Sequence, residues 1–225
     1  MNYALVLAAG RGIRMGTDCP KQFLTIGGEM IYIKCLRHFV ESPLIDGIVL
    51  AVPHMMSSRV KDEVWSVFPK ADLCVTEGGD SRHETLEKLM DFLFDYYPVD
   101  DDTVILTHDA VRPFINEKII ADNIETARKY GGCGTAIPAV DTVFRSSDGV
   151  LIDDVPPRDQ LYYAQTPQSF NALKFRMALR ALTPEQKAQV TDACSVFRLL
   201  NEPVALVPGA PENIKITYKS DLDHM

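Results

Sequence analysis

The sequence predicts an α/β fold: a mostly parallel sheet with helices on both faces. Short apolar runs alternate with amphipathic stretches of ten or more residues, which is the order that parallel strands and crossover helices require. The runs are apolar throughout rather than alternating, as in strands buried on both faces. The chain has 225 residues, 46% of them hydrophobic, so one domain with a well-buried core is expected over 1–225.

Each element follows from its own pattern. The apolar runs predict strands at 3–8, 47–52, 71–76, 103–107, 134–138, 204–207 and 214–217. Helical spacing predicts helices at 31–40, 57–68, 117–130, 172–182 and 192–200, and one that runs from a cap at Asp80-Ser81 to about residue 97. The pattern as a whole is Rossmann-like.

The alternation lapses between Asp141 and Ser169. The runs 142–145 and 150–152 flank a turn at 146–149, which predicts a β-hairpin. A lone hairpin is marginally stable unless it packs on something. We therefore expect an arm at about 139–163 that serves as an interaction surface.

Composition excludes several classes of protein. The net charge of −8 is not that of a nucleic-acid binder, so an anionic substrate needs a local cluster of cations. No apolar run reaches the roughly 18 residues of a membrane span, and the apolar start predicts a strand, not a signal peptide. The five cysteines are scattered without CxxC spacing, which argues against a zinc site or a disulfide framework. We expect a cytoplasmic protein that binds neither nucleic acid nor membrane.

The first predicted strand runs into Leu7-Ala8-Ala9-Gly10-Arg11-Gly12-Ile13-Arg14, and Lys21 follows closely. Small residues allow the backbone to approach a phosphate, and the two basic side chains supply the charge that a triphosphate needs. Neither the Walker spacing nor the dinucleotide GxGxxG spacing is present, which disfavours a hydride-transferring Rossmann enzyme. A glycine-rich turn with two solvated basic residues is the simpler alternative.

Asp109 directly follows a buried run, where a carboxylate is well placed to hold Mg²⁺ through its oxygens. The alternative is an aspartate that only forms a turn with the local backbone. The histidines are not spaced as metal ligands, and no Ser/His/Asp set is visible.

The chain resembles the cytidylyltransferases that act on 2-C-methylerythritol 4-phosphate or ribitol 5-phosphate. The resemblance covers nearly the whole sequence. It rests on the first loop with Lys21 and on five further motifs: Gly78-Gly79-Asp80-Ser81-Arg82, His108-Asp109-Ala110-Val111-Arg112-Pro113, Gln165-Thr166-Pro167-Gln168, Thr191-Asp192-Ala193 and Asn213-Ile214-Lys215-Ile216-Thr217.

Two branches of this family compete. Val111 and the pair Ala193-Cys194 resemble the ribitol-phosphate branch, whereas Ala8-Ala9-Gly10 is commoner in the methylerythritol branch. We favour CTP and D-ribitol 5-phosphate giving CDP-ribitol and diphosphate, for cell-surface polymer (teichoic acid) synthesis. The alternative is CTP and 2-C-methyl-D-erythritol 4-phosphate, which belongs to isoprenoid synthesis. A nucleotide-binding regulator without activity is a third hypothesis.

The resemblance implies a set of site residues. Three cations, Arg14, Lys21 and Lys215, would stabilise charge on the α-phosphate. CTP would be bound by Leu7, Ala8, Ala9, Gly10, Gly12, Arg14, Lys21, Gly79, Asp80, Arg82, Thr85 and Lys215. The polyol phosphate would lie against Asp109, Arg112 and Thr191, with Mg²⁺ at Asp109. The arm would pair two subunits in a homodimer, so that Arg158 of one subunit reaches the polyol phosphate of the other.

Overall fold

The computed structural model describes residues 1–10, 20–218 and 220–223. Its strands are β1 (Asn2–Leu7), β2 (Thr25–Ile26), β3 (Glu29–Met30), β4 (Gly47–Val52), β5 (Leu73–Glu77), β6 (Val104–Asp109), β7 (Gly132–Pro138), β8 (Tyr162–Asn171) and β9 (Ala205–Pro208). Its α-helices are α1 (Ile31–Glu41), α2 (Ser57–Val67), α3 (Arg82–Tyr96), α4 (Glu117–Tyr130), α5 (Ala172–Ala181), α6 (Pro184–Lys187), α7 (Ala193–Leu199) and α8 (Ser220–Asp223).

The central sheet has the strand order β5-β4-β1-β6-β8-β7-β9. Strands β5, β4, β1 and β6 are parallel, β8 runs antiparallel to both of its neighbours, and β7 and β9 are parallel. The predicted α/β class with a mostly parallel sheet is confirmed. The chain builds outward from β1 to β4 and β5, then returns to place β6 on the other side of β1. Ligands of open α/β sheets bind at such a reversal, beyond the carboxyl ends of the strands.

Helices cover both faces of the sheet, as predicted. Helices α1, α2 and α4 pack on one face, where Ala4 and Val6 of β1 point. Helices α3, α5 and α7 pack on the other, against Tyr3, Leu5 and Leu7 of the same strand. Every residue of β1, β4 and β6 is buried, which explains the apolar runs without alternation in β1, in β4 and in the first half of β6. Among the described residues, no helix is long and apolar enough to span a membrane.

Side-chain caps set where several helices begin. Ser81 accepts a hydrogen bond from the Glu84 amide at the start of α3, which confirms the predicted cap. Asp192 caps α7 and forms a reciprocal capping box with Ser195. The cap at Ser81 matters for the functional site because α3 begins beside the loop that contains Gly78 and Gly79.

Three predicted features were wrong in detail. The strands of the predicted hairpin are absent: in the segment 139–161 the pairing is a single bridge between Arg145 and Asp154. No strand was predicted between the arm and Ser169, but this region forms most of β8, the longest strand described. Residues 214–217 are irregular instead of forming a last strand: the Ile216 amide donates to the carbonyl oxygen of Val111, which lies outside the strands, and its own carbonyl oxygen accepts from the Lys21 side chain.

Phe170 of β8 is a test of the core on the α5 and α7 face. It has no exposed surface and its ring lies 4.6 Å from Phe175 and 4.7 Å from Phe197. Phe170→Ala should lower the free energy of unfolding by about 3–5 kcal/mol, because it opens a cavity among packed rings. Urea denaturation measures this loss. Trp65→Ala is the control, since Trp65 is 76% exposed, and a similar loss for both variants would contradict the packing.

Candidate active site

One cleft lies beyond the carboxyl ends of β1, β5 and β6, next to the reversal of strand order. Its volume is about 450 Å³. Among the described lining residues, three are cations and two are carboxylates, so the cleft is locally positive in a chain of net charge −8. It is lined by Leu7, Ala8, Ala9, Gly10, Lys21, Gln22, Gly79, Asp80, Ser81, Arg82, Thr85, Asp109, Val111, Lys215 and Thr217.

The loop after β1 is held by Gln22. This side chain has 2% of its surface exposed, and its amide nitrogen donates to the carbonyl oxygens of Ala8 and Gly10, the latter at 2.9 Å. Lys21 lies beside it in a short 3₁₀ turn and donates to the carbonyl oxygen of Ile216 at 2.9 Å. The turn thus joins the first loop to the C-terminal segment that carries Lys215.

The loop after β5 forms the opposite wall. Thr85 accepts a hydrogen bond from the Gly79 amide at 3.0 Å, and Glu84 accepts one from the Asp80 amide at 2.8 Å. A Cβ atom on Gly78 would lie 2.2 Å from the Cβ of Ala9. Glycine is therefore required where the two loops meet.

Asp109, at the end of β6, is the charge centre of the cleft. Its two carboxylate oxygens accept hydrogen bonds from Arg82 at 2.7 Å and from Lys215 at 2.8 Å. Burial alone would raise the pKa of this carboxyl, but the two cations hold it well below its usual range. Asp109 is therefore ionised, and it neutralises side chains from two distant parts of the chain.

These contacts bear on the predicted magnesium site. Both Asp109 oxygens already bond to cationic side chains, and a cation beside a carboxylate disfavours a metal there. The described residues contain no group of three or more His, Cys, Asp or Glu side chains that could hold a metal ion. Mg²⁺ at Asp109 stays a prediction that this arrangement does not favour.

The segment that carries Lys215 is fixed by buried polar side chains. Asn213 has no exposed surface and donates to the carbonyl oxygen of Thr166 at 2.8 Å. Arg112 donates to the carbonyl oxygens of Asn213 at 2.8 Å and Ala164 at 3.1 Å. Arg112 was predicted to bind polyol phosphate, but its described contacts connect the Asn213 segment to β8, and it is absent from the cleft lining.

The structure brings together most of the predicted nucleotide site. Eleven predicted residues line the cleft: Leu7, Ala8, Ala9, Gly10, Lys21, Gly79, Asp80, Arg82, Thr85, Asp109 and Lys215. Thr191 and Arg158 lie outside the lining, with Thr191 next to the α7 cap and Arg158 donating to the carbonyl oxygen of Val140. Gly12 and Arg14 lie outside the described residues. The roles assigned to all of these residues stay predictions.

Sequence reasoning missed four lining residues, Gln22, Ser81, Val111 and Thr217. The only signal for Gln22 was its place beside Lys21, which the sequence had assigned to the site. Ser81 was recognised as a cap, and a cap beside a glycine loop also faces the ligand side. Val111 and Thr217 gave no signal beyond their place inside a motif.

The comparisons with known proteins agree with this geometry. The family model of 2-C-methyl-D-erythritol 4-phosphate cytidylyltransferase (IspD) matches residues 3–224. The chain belongs to the IspD family. Members of this family are cytidylyltransferases, so the protein is a nucleotidyltransferase of the IspD type.

Solved structures of the same kind superpose over nearly the whole chain. The 4-diphosphocytidyl-2C-methyl-D-erythritol synthase of Anaerococcus prevotii is 26% identical, with a TM-score of 0.80, covering 99% of this chain and 93% of that one. Another such synthase is 29% identical, with a TM-score of 0.80 and coverage of 99% and 96%. The Francisella tularensis 2-C-methyl-D-erythritol 4-phosphate cytidylyltransferase is 25% identical, with a TM-score of 0.81 and coverage of 99% and 97%.

The contact between the two loops yields a test with a rescue. Gly78→Ala should weaken CTP binding about tenfold or more, because the new methyl group overlaps Ala9 and pushes the loops apart. Adding Ala9→Gly removes the atom that it meets, so the double variant should recover most of the affinity. Calorimetric titration with CTP measures both. Equal losses in the single and double variants would contradict the proposed steric contact.

The variant Asp109→Asn distinguishes two roles of Asp109, as the counter-ion of two cations or as the ligand of a metal ion. If Asp109 neutralises Arg82 and Lys215, removing its charge should strengthen the binding of metal-free diphosphate, by about tenfold. Turnover should fall at the same time, because the two cations lose the group that positions them. Calorimetry in the presence of a chelator measures the affinity. Weaker diphosphate binding in the variant would contradict the counter-ion role.

Proposed function

We propose that the protein transfers the cytidylyl group of CTP to 2-C-methyl-D-erythritol 4-phosphate and releases diphosphate. The observation that carries the proposal is the match to the IspD family model over 3–224, in a chain whose cleft gathers Lys21, Arg82, Lys215 and Asp109. The similar solved structures carry the name of the same enzyme. The match also argues against a regulator that has lost its chemistry, since each described cation of the predicted site is present.

The reaction joins two anions. A phosphate oxygen of the acceptor forms a bond to the α-phosphorus of CTP, and the bond from that phosphorus to the bridging oxygen breaks. Diphosphate leaves with the electron pair. Such a reaction needs alignment and charge neutralisation more than a nucleophilic side chain.

The cleft residues fit those two needs. Lys21 and Lys215, with Arg14 from outside the described residues, are proposed to stabilise the charge that develops at the α-phosphate. Arg82 and Asp80 are proposed to lie along the bound nucleotide, and Asp109 along the acceptor. Mg²⁺ enters the proposal as the counter-ion that accompanies CTP, and no described residue is assigned to hold it.

The choice of acceptor differs from the sequence expectation. Val111 and the Ala193-Cys194 pair favoured ribitol 5-phosphate, but Cys194 does not line the cleft and its sulfur lies against the Cys133 carbonyl oxygen and Gly134. Val111 does line it and offers an apolar surface near Asp109. A branching methyl group is what distinguishes methylerythritol from an unbranched polyol, and an apolar wall favours it.

We also propose that the arm joins two copies of the chain. Residues 140–155 of the arm carry six exposed apolar side chains: Val140, Phe144, Val150, Leu151, Ile152 and Val155. So much exposed apolar surface in one segment marks an interaction site. Arg158 of one copy is proposed to reach the acceptor in the other, because it lies outside the cleft of its own chain.

The described cysteines are free thiols, which supports the cytoplasm as the compartment.

The decisive assay measures diphosphate release with CTP and Mg²⁺ and compares the two acceptors. We expect kcat/KM to be at least a hundredfold higher with 2-C-methyl-D-erythritol 4-phosphate, a difference of about 2.7 kcal/mol at the transition state. Lys21→Ala should lower turnover by about two orders of magnitude with either acceptor. A preference for ribitol 5-phosphate would restore the sequence expectation, and release with neither would contradict both.

The arm is tested by the double variant Leu151→Asp, Ile152→Asp. Both side chains are more than half exposed, so the folded monomer should tolerate the charges. We expect a monomer in light scattering, with CTP binding kept and the KM for the acceptor raised at least about tenfold. Trp65→Asp is the control, as an exposed apolar residue on α2. A dimer that survives the double variant would contradict an arm-mediated interface.

A further inference from the structure

His108 precedes Asp109 in β6, and none of its surface is exposed. Its ring lies 5.1 Å from that of Phe39, in an edge-to-face arrangement. Both ring nitrogens have partners: Nε2 is 3.1 Å from the carbonyl oxygen of Arg112, and Nδ1 is 3.0 Å from the hydroxyl of Thr166.

The partners assign the protons. A carbonyl oxygen only accepts, so Nε2 of His108 carries hydrogen and donates to Arg112. Burial lowers the pKa of His108 to about 4, and the ring is neutral. Nδ1 is therefore an acceptor, and the Thr166 hydroxyl donates to it. The oxygen of that hydroxyl remains open to accept a further hydrogen bond.

That further hydrogen bond closes a ring around Asp109. The Asp109 amide donates to the Thr166 hydroxyl oxygen at 3.1 Å, and the Arg112 amide donates to the Asp109 carbonyl oxygen at 3.0 Å. Four hydrogen bonds thus run from His108 through Thr166, Asp109 and Arg112 back to His108. Both backbone polar groups of Asp109 belong to this ring.

The cycle of four hydrogen bonds is also connected to Lys215. The Arg112 side chain donates to the carbonyl oxygen of Asn213, which begins the segment that carries Lys215. Lys215 in turn donates to the Asp109 carboxylate. The two imidazole nitrogens of His108 therefore bind two different segments. Nδ1 is bonded to Thr166, which holds the backbone of Asp109. Nε2 is bonded to Arg112, which holds the backbone of Asn213.

We propose that His108 is a positioning residue for the transfer reaction. It sets the orientation of the Asp109 carboxylate and, through Arg112, the place of Lys215. It does not touch the cleft, from whose lining it is absent, and it donates no proton to a substrate. This inference rests on the proposed function, because it assigns a role to His108 in that same reaction.

Two substitutions of His108 test its two hydrogen bonds separately. His108→Asn keeps a polar atom near Nδ1, and His108→Gln keeps one near Nε2, so each variant preserves at most one of the two hydrogen bonds. In both, kcat/KM for the acceptor should fall by about ten- to a hundredfold, because the reacting groups are misaligned. CTP affinity should change much less. Most of the proposed CTP contacts come from the loop after β1 and the loop after β5, and these loops do not depend on His108.

His83→Asn is the matched control. His83 is also buried, but its ring contacts the Leu179 carbonyl oxygen and Glu87, away from the cleft. It should lose stability as the His108 variants do, yet keep its kinetic constants within about threefold. Folded His108 variants with unchanged kinetics for both substrates would overturn the proposal.

A second measurement needs no variant. Nitrogen NMR of the wild-type protein distinguishes a protonated from an unprotonated ring nitrogen. The cycle of four hydrogen bonds requires that His108 carry hydrogen on Nε2 and none on Nδ1. Hydrogen on Nδ1 would overturn the proposal. Absence of cytidylyl transfer by the wild-type protein would instead contradict the proposed function, while the NMR result would still report on the ring.

Discussion

The buried carboxylate of Asp109 bonds to Arg82 at the start of α3 and to Lys215 near the C-terminus. A charge taken out of water is costly unless it is paired and hydrogen-bonded. The end of β6 is therefore stable only when α3 and the 213–217 segment have both reached it. This requirement joins three distant parts of the chain at one point. It also leaves two cations side by side, which is the arrangement that phosphate groups need.

The fold explains why that point lies where it does. Strand β1 lies inside the sheet, and the chain reverses its direction of growth between β5 and β6, so the loops after β1, β5 and β6 converge. Gly78, after β5, permits a contact with Ala9 that any side chain at this position would prevent. Few groups in this cleft perform chemistry in the usual sense. Its contribution is alignment and charge, which suits the transfer of a cytidylyl group between anions.

The sequence was informative where a motif and a strand end coincided. The first loop, the Gly79 loop, Asp109 and Lys215 were placed in one site from the sequence, and the structure brings them together. Sequence reasoning failed where long-range polar contacts decide the outcome. Arg112 stands in a family motif, yet the observed partners of its side chain are two backbone carbonyl groups that no local pattern predicts. Strand β8 was missed because its polar, proline-containing sequence is stabilised by neighbours on both sides.

The most direct test of this account is a double-mutant cycle on Arg82 and Asp109. Unfolding free energies of Arg82→Met, Asp109→Asn and the double variant isolate the interaction between the two side chains. Because Asp109 is buried and Arg82 is mostly buried, we expect a coupling of about 1–3 kcal/mol, with either single variant nearly as unstable as the double. A coupling near zero would contradict the claim that this ion pair organises the cleft.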